Sequence, residues 1–162
     1  MIFCLAGQPD KAIEESLAAL ATDPNSASAY EDLGRAYGLK RMHGRAIAAF
    51  RKAVAKSRRS SPRYLAALAH AYGVAGQRKA ALALLRELDR LAGKGYVSSH
   101  AFALSFVGLG QKEQAFTWLA RACRERASAV PFVGVEPRLA LLHSDPRFRA
   151  LLVRVGLARP PN

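Results

Sequence analysis

An internal repeat of about 34 residues constrains the fold of this chain more than any other feature of its sequence. Four alanines mark the repeat at spacings of 34, 35 and 34 residues: Ala12, Ala46, Ala81 and Ala115. A unit of this length cannot bury its apolar face alone, so neighbouring units stack to form one continuous core. The sequence therefore predicts an extended array of stacked helical units.

The residues around Ala46 indicate how each unit is built. Upstream stand Tyr30, Leu33, Gly34 and Tyr37, and downstream stand Phe50 and Ala53. The later copies repeat this chemistry with Leu65, Leu68, Ala69 and Tyr72, and then with Ser99, Phe102, Ala103 and Phe106. A small residue such as Gly34 lets two antiparallel helices approach closely, and a large residue fills the seam beside it. This pattern resembles that of the tetratricopeptide repeat (TPR) family.

The resemblance implies an all-α fold, an αα-superhelix (TPR solenoid) of about three and a half repeats with a C-terminal helical cap. We expect the TPR array over residues 1–128, with a partial repeat at 1–26 and full repeats at 27–61, 62–95 and 96–128. Glycines 76 and 110 mark turns between helices, whereas Arg41 replaces the turn glycine of the second copy and Gly44 is expected to take over. One extra linker residue near Pro62 predicts a rotation of the third copy relative to the second.

The segment 129–162 is predicted to form the capping helices and a tail. Asp145 is suited to be an N-cap with Pro146 at the first helical position, and Gly156 is suited to end that helix. Six apolar residues are expected to dock the cap on the last repeat: Leu141, Leu142, Phe148, Leu151, Leu152 and Val155. Without such a cap the terminal face of a solenoid would stay exposed and apolar.

In TPR proteins the concave surface usually holds an extended peptide or a partner helix. By repeat position, the predicted peptide-binding groove consists of Glu31, Arg35, Arg63, His70, His100, Leu104 and Val107. Arg35 and Arg63 are suited to hold a carboxylate, while Leu104 and Val107 leave room for apolar side chains. The alternative is that the chain's own C-terminal segment, or a neighbouring copy, fills the groove. The function predicted from the resemblance is a non-catalytic protein–protein interaction module, an adaptor or regulatory scaffold.

Charge is distributed unevenly along the chain. Residues 1–34 carry a net charge of −5, and residues 35–86 carry thirteen Lys or Arg and no acid. A basic patch is predicted at Arg51, Lys52, Lys56, Arg58 and Arg59. Such a patch attracts nucleic acid or acidic partners, which is the alternative function. A solvated basic face is the simpler interpretation, because the aromatics occupy packing positions and no nucleic-acid-binding motif is present.

Catalysis finds little support in the sequence. His70 and His100 are expected to face one groove, but two histidines without a nearby acid or thiol make a weak metal-ligand set. The sequence also lacks a phosphate-binding glycine loop and any serine or cysteine with a base at a recognisable spacing. We therefore predict no enzymatic activity, no cofactor and no metal. Trp118 is expected to serve packing.

The cellular setting is predicted to be the cytoplasm of a bacterium. No apolar stretch approaches about 18 residues, so no membrane span is expected. The two cysteines, Cys4 and Cys123, are expected to be reduced thiols.

Several motifs resemble bacterial TPR tails, among them residues 110–119, 136–138 and 144–148. In that family such tails commonly follow a winged-helix, nucleotide-cyclase or Ser/Thr kinase domain, so this chain is expected to be a C-terminal piece or a stand-alone descendant. The apolar residues Met1, Ile2, Phe3 and Leu5 would then be exposed to solvent at the N-terminal end. A second copy of the chain would cover them, so a homodimer is favoured over a monomer.

Overall fold

The computed structural model describes residues 7–57 and 61–159, and within these ranges it contains helices and no strand. The helices of the repeat region are α1 Pro9–Thr22, α2 Ala27–Leu39, α3 His43–Lys56, α4 Pro62–Val74, α5 Arg78–Ala92, α6 Ser99–Gly108 and α7 Lys112–Arg124. They pack in consecutive pairs as an αα-superhelix, which confirms the predicted fold class. Helices α2, α4 and α6 are the first helices of their pairs and carry the predicted groove residues.

The turn after each first helix needs one residue in the left-handed backbone region. Gly76 and Gly110 fill this place with φ values of 75° and 71°. In the turn between α2 and α3 Arg41 adopts the same conformation, with φ of 56°, whereas Gly44 lies inside α3. The expectation that Gly44 takes over the turn is therefore wrong. The left-handed residue must stand directly after the first helix, so Arg41 adopts this conformation although its side chain makes it less favourable than for a glycine.

Within a pair, the predicted small-to-large packing is confirmed at Gly34. A Cβ atom added there would lie 2.8 Å from ring atoms of Phe50, which is buried in the seam between α2 and α3. Only a glycine lets the two helices approach this closely.

The junctions between pairs differ along the array. Helix α6 packs extensively on α4, whereas α4 contacts the preceding pair mainly through α3 and barely touches α2. The backbones of α4 and α6 approach closely at Gly73 and Gly108, where a Cβ on Gly108 would lie 2.5 Å from the Cα and carbonyl oxygen of His70. The loose junction falls where the extra linker residue near Pro62 predicts a rotation. As a result, the concave side is closed between α4 and α6 and open between α2 and α4.

The cap consists of two 3-10 segments, Val130–Val135 and Pro137–Leu139, followed by α8 Ala140–His143 and α9 Pro146–Arg154. The predicted start and stop of α9 are confirmed, because the Asp145 side chain accepts a hydrogen bond from the Arg147 amide at 3.0 Å and Gly156 has a φ of 76°. Buried cap residues form one core cluster with α6 and α7, and they include Val133, Leu139, Leu142, Phe148 and Leu151.

Leu141 does not join this core and is exposed, so its predicted docking role is wrong. Adjacent helical residues point in directions about 100° apart, and Leu142 takes the inward position of the short helix α8.

Other predicted residues divide into those that pack and those outside the described ranges. Trp118 stacks on Phe102 with ring centroids 4.3 Å apart, as expected of a packing residue. Cys123 is a buried free thiol whose pKa is raised by burial. Seven further residues lie outside the described ranges: Met1, Ile2, Phe3, Cys4, Leu5, Arg58 and Arg59. The dimer contact predicted at the N-terminal end and the basic-patch residues Arg58 and Arg59 therefore stay predictions.

Candidate functional site

A short segment of the cap crosses the predicted groove. Residues 136–138, called the strap below, touch all three helices of the concave side. Glu136 accepts a hydrogen bond from Arg35 of α2, the backbone of Arg138 hydrogen-bonds with His70 of α4, and the 3-10 segment Pro137–Leu139 packs on α6. The C-terminal segment thus fills the middle of the groove, which is one of the alternatives left open by the sequence.

An ionic cluster holds the strap in place. Glu31 has no exposed surface, and its Oε1 atom accepts hydrogen bonds from the Nη2 and Nε atoms of Arg35 at 2.6 and 3.2 Å. The same carboxylate also forms an ion pair with Arg63. On the other side, Arg35 Nη1 donates to Glu136 Oε2 at 3.1 Å, and Arg138 donates to both carboxylate oxygens of Glu136 at 2.8 and 2.9 Å. Glu31 and Arg35 are therefore committed to internal contacts.

These contacts keep both carboxyl groups ionised. Burial alone would raise the pKa of Glu136, but Arg138 and Arg35 outweigh it and hold the pKa well below its usual range. In the same way, Arg35, Arg138 and Arg63 outweigh the burial of Glu31 and lower its pKa. A buried ionised carboxylate that loses such partners is strongly destabilising, so the strap and the floor of the groove stabilise each other.

The two predicted groove histidines lie on opposite sides of the strap. His70 lines the larger opening beside it and His100 lines the smaller one. Burial, reinforced by the charge of Arg138, lowers the pKa of His70 to about 3 and that of His100 to about 4. Both imidazoles are therefore neutral at physiological pH. No group of three or more potential metal ligands exists among the described residues.

We expect the free energy of unfolding to fall as the pH is lowered from 7 to 5. Unfolded imidazoles bind protons near pH 6.5, whereas His70 and His100 stay neutral in the folded protein down to about pH 3 and 4. The unfolded state binds more protons in this window, so each histidine costs up to about 2 kcal/mol at pH 5. Urea denaturation at pH 7 and pH 5 measures the loss, which should shrink in the double variant His70→Gln/His100→Gln. If the double variant lost as much unfolding free energy between pH 7 and pH 5 as the wild type, His70 and His100 would not be the neutral buried histidines responsible.

Five of the seven predicted groove residues line one cleft of about 300 Å³ beside the strap, called the small cleft. They are Glu31, Arg35, Arg63, His100 and Leu104. Its wall is completed by Ala66 of α4 and by Phe132 of the cap, which is exposed. Arg63 differs from the other charged members because about half of its side chain, 53%, is exposed. The small cleft therefore offers a half-exposed arginine side chain next to apolar side chains.

The other two predicted residues, His70 and Val107, line a second cleft of about 810 Å³ on the opposite side of the strap, called the large cleft. Most of its lining was not foreseen, including Leu39 and Val74 at the ends of α2 and α4 and Leu141 of the cap. Residues 136–138 in particular were also not predicted to lie in the groove, although the C-terminal segment as a whole was one of its expected occupants. The sequence signal of the strap is that Glu136 and Arg138 are the two charged residues in the otherwise uncharged stretch 130–142.

The described part of the basic patch lies on α3, the second helix of its pair, and its three residues are exposed. Lys52 lies over the ring of Tyr30, 5.3 Å from the centroid, and Lys56 donates a hydrogen bond to Asn25 at 2.7 Å. Arg51 completes this patch. Two of the three side chains are thus engaged with their own chain.

Comparison with known proteins supports the repeat family. A family model described as tetratricopeptide repeat matches residues 27–55, which span most of α2 and α3 and the turn between them. No curated protein matches the chain. An all-helical repeat fold of this kind is typical of non-catalytic scaffolds. None of the helices in the described ranges is long and apolar enough to cross a membrane.

Proposed function

We propose that this tetratricopeptide repeat protein is an adaptor that binds a peptide segment of a partner protein in its small cleft. The repeats make it a protein–protein interaction module. The proposed ligand carries a carboxylate next to an apolar side chain. The resemblance of residues 110–119, 136–138 and 144–148 to bacterial TPR tails supports a role of this adaptor in a regulatory system.

One observation carries this proposal: Arg63, whose side chain is half exposed, lines a cleft with apolar walls. A guanidinium binds a carboxylate through charge-assisted hydrogen bonds, and Arg63 retains donors beyond its contact with Glu31. Ala66, Leu104 and Phe132 provide the apolar contact area. A volume of about 300 Å³ lies at the lower end of the range of ligand pockets, which suits a few side chains better than a whole helix.

Selection of peptides from a display library tests the proposal. Selected peptides should contain an acidic residue or a free C-terminus beside an apolar residue, and their Kd can be measured by fluorescence anisotropy. We expect Arg63→Gln to weaken binding by about tenfold, because a charge-assisted contact in a cleft is lost. Phe132→Ala should also weaken binding, because apolar contact area is lost.

A matched control exists in Arg90, whose side chain is 52% exposed and ion-paired with Glu87 on α5. Arg90→Gln should leave the affinity unchanged. Circular dichroism of each variant separates lost binding from lost folding. Selected peptides that bind Arg63→Gln and Phe132→Ala as tightly as the wild type would refute the proposed site.

The alternative of nucleic-acid or acidic-partner binding through residues 35–86 makes a different prediction. Binding would then weaken in Arg51→Gln on the outer face of α3 and would fall steeply with salt concentration. The small cleft is favoured over this alternative because it is a concavity with apolar walls, whereas Arg51, Lys52 and Lys56 lie exposed on one helix.

A further inference from the structure

The strap brings a carboxylate of the chain itself onto an arginine that the sequence pattern suits to hold a carboxylate. Arg35 and Arg63 are the two groove arginines with that predicted role, and the structure treats them differently. Arg35 is nearly buried and donates to Glu136 Oε2 at 3.1 Å, whereas Arg63 stays half-exposed. Glu136 therefore occupies on Arg35 the position that the carboxylate of a ligand would otherwise take.

The strap carries a charge pair that can leave the groove as a unit. Arg138 donates from Nε and Nη2 to the two carboxylate oxygens of Glu136 at 2.9 and 2.8 Å, so the two side chains neutralise each other within the strap. The third nitrogen, Arg138 Nη1, is buried and has no hydrogen-bond partner among the described residues. A buried donor without an acceptor is unfavourable, and opening of the strap would return this donor to water.

The surroundings of the strap leave it room to move. It lies between the small cleft of about 300 Å³ and the large cleft of about 810 Å³, so no helix has to shift when it swings aside. Its two ends are held differently. Val135, directly before the strap, is exposed, whereas Leu139, directly after it, is fully buried in the core of the cap. The strap can therefore lift at Glu136 while Leu139 keeps the cap docked.

We propose that the strap is an autoinhibitory element in which Glu136 acts as an internal ligand of Arg35. This inference rests on the proposed peptide binding in the small cleft and adds the regulation of that site. A peptide that engages Arg63 with one acidic residue places a second one on Arg35, and the Glu136–Arg138 pair moves out to solvent. The closed strap lowers the apparent affinity in proportion to the fraction of molecules that are open.

The affinity of the Glu136→Gln variant tests this competition. The probe is the acidic peptide with the lowest Kd from the display selection, labelled with fluorescein. We expect Glu136→Gln to bind it about tenfold more tightly than the wild type, because the strap no longer competes for Arg35. A strap that merely supports the fold predicts weaker binding instead. The matched control Glu113→Gln removes a surface carboxylate paired with Arg147 and should leave the Kd unchanged.

Hydrogen exchange of the wild type, followed by mass spectrometry, tests displacement of the strap without any substitution. Binding of the probe should accelerate exchange of the amides in residues 135–139 several-fold, while α4 becomes protected. Unchanged or slower exchange in residues 135–139 would overturn the proposal, because the strap would then be a fixed wall of the site. Equal or weaker binding by Glu136→Gln would also overturn it.

These outcomes separate failure of the autoinhibition from failure of the proposed function. If the probe binds the wild type, loses affinity in Arg63→Gln and gains none in Glu136→Gln, the small cleft stands and the autoinhibition falls. A peptide that binds Glu136→Gln and not the wild type, from a selection repeated on the variant, supports the autoinhibition. Selections that yield no peptide for either protein refute both.

Discussion

The Gly108→Ala variant is expected to lose about 3 kcal/mol of unfolding free energy, because overpacking of two backbones leaves no flexible side chain to move aside. The added methyl group would lie 2.5 Å from the Cα and carbonyl oxygen of His70, both of which belong to the rigid helix α4. Helices α4 and α6 would have to separate, because Gly73 and Gly108 lie where the two backbones meet. The separation would also shift His70 and His100 relative to the strap.

Urea denaturation followed by far-ultraviolet circular dichroism measures this loss. The matched control is Gly38→Ala, a helical glycine on α2 whose added methyl group would meet open space. Alanine is the better helix former, so this control should be unchanged or more stable by up to about 1 kcal/mol. Equal stability of Gly108→Ala and Gly38→Ala would show that α4 and α6 do not approach each other closely at Gly108.

The Glu136→Gln variant is expected to lose about 3 kcal/mol of unfolding free energy, because it removes a buried counter-charge that Arg35 and Arg138 share. The side chains of Glu136, Arg35 and Arg138 are all nearly buried, with exposed fractions of 7%, 9% and 11%. Removal of the carboxylate charge leaves two guanidiniums next to each other in the middle of the groove. The strap loses its main attachment to α2, so the segment that contains Pro137 should also become more open to hydrogen exchange.

Two comparisons isolate the role of Glu136. Glu113 pairs with Arg147 on the surface, and Glu113→Gln should change stability little because solvent screens exposed pairs. A double-mutant cycle with Arg35→Gln should give less destabilisation than the sum of the two single variants, because the two side chains are in direct contact. Additive losses, or a loss in Glu136→Gln no larger than in Glu113→Gln, would argue against a strap fixed by this ionic cluster.

The repeat pattern predicted the helical pairs well, because each pair depends on contacts that recur within one repeat. The alanines at positions 46, 81 and 115 are buried in the second helices, and Gly34 faces Phe50 across the seam. The N-cap at Asp145 was also predictable, since capping depends on the residue type beside the first helical turn. These features depend on residues close together in the chain, so the sequence pattern alone was enough to predict them.

The strap could not be predicted from the repeat pattern, because the contact between Arg35 and Glu136 joins residues 101 positions apart and Glu136 lies outside the repeats. A groove-facing position in the pattern also does not imply an accessible side chain. Glu31 and Arg35 occupy such positions, but both are buried and ion-paired in the cluster beneath the strap. The large cleft depends on the splay between α2 and α4 and on the outward direction of Leu141, neither of which a repeat alignment specifies.

The division of the concave face by the strap gives the two clefts different chemistry. The small cleft presents an exposed arginine beside apolar walls, and the large cleft presents apolar side chains beside Arg41. Both clefts contact Arg35, Glu136 and Arg138. A ligand in either cleft therefore touches the cluster that holds the strap.

The most direct test of the proposed function is the map of backbone amide shifts in nuclear magnetic resonance spectra when the selected peptide is titrated into the labelled protein. The largest perturbations are expected at the small cleft, on Arg63, Ala66, Leu104 and Phe132. Perturbations concentrated on Arg51, Lys52 and Lys56 of α3 would refute binding in the small cleft and would assign it to the basic patch.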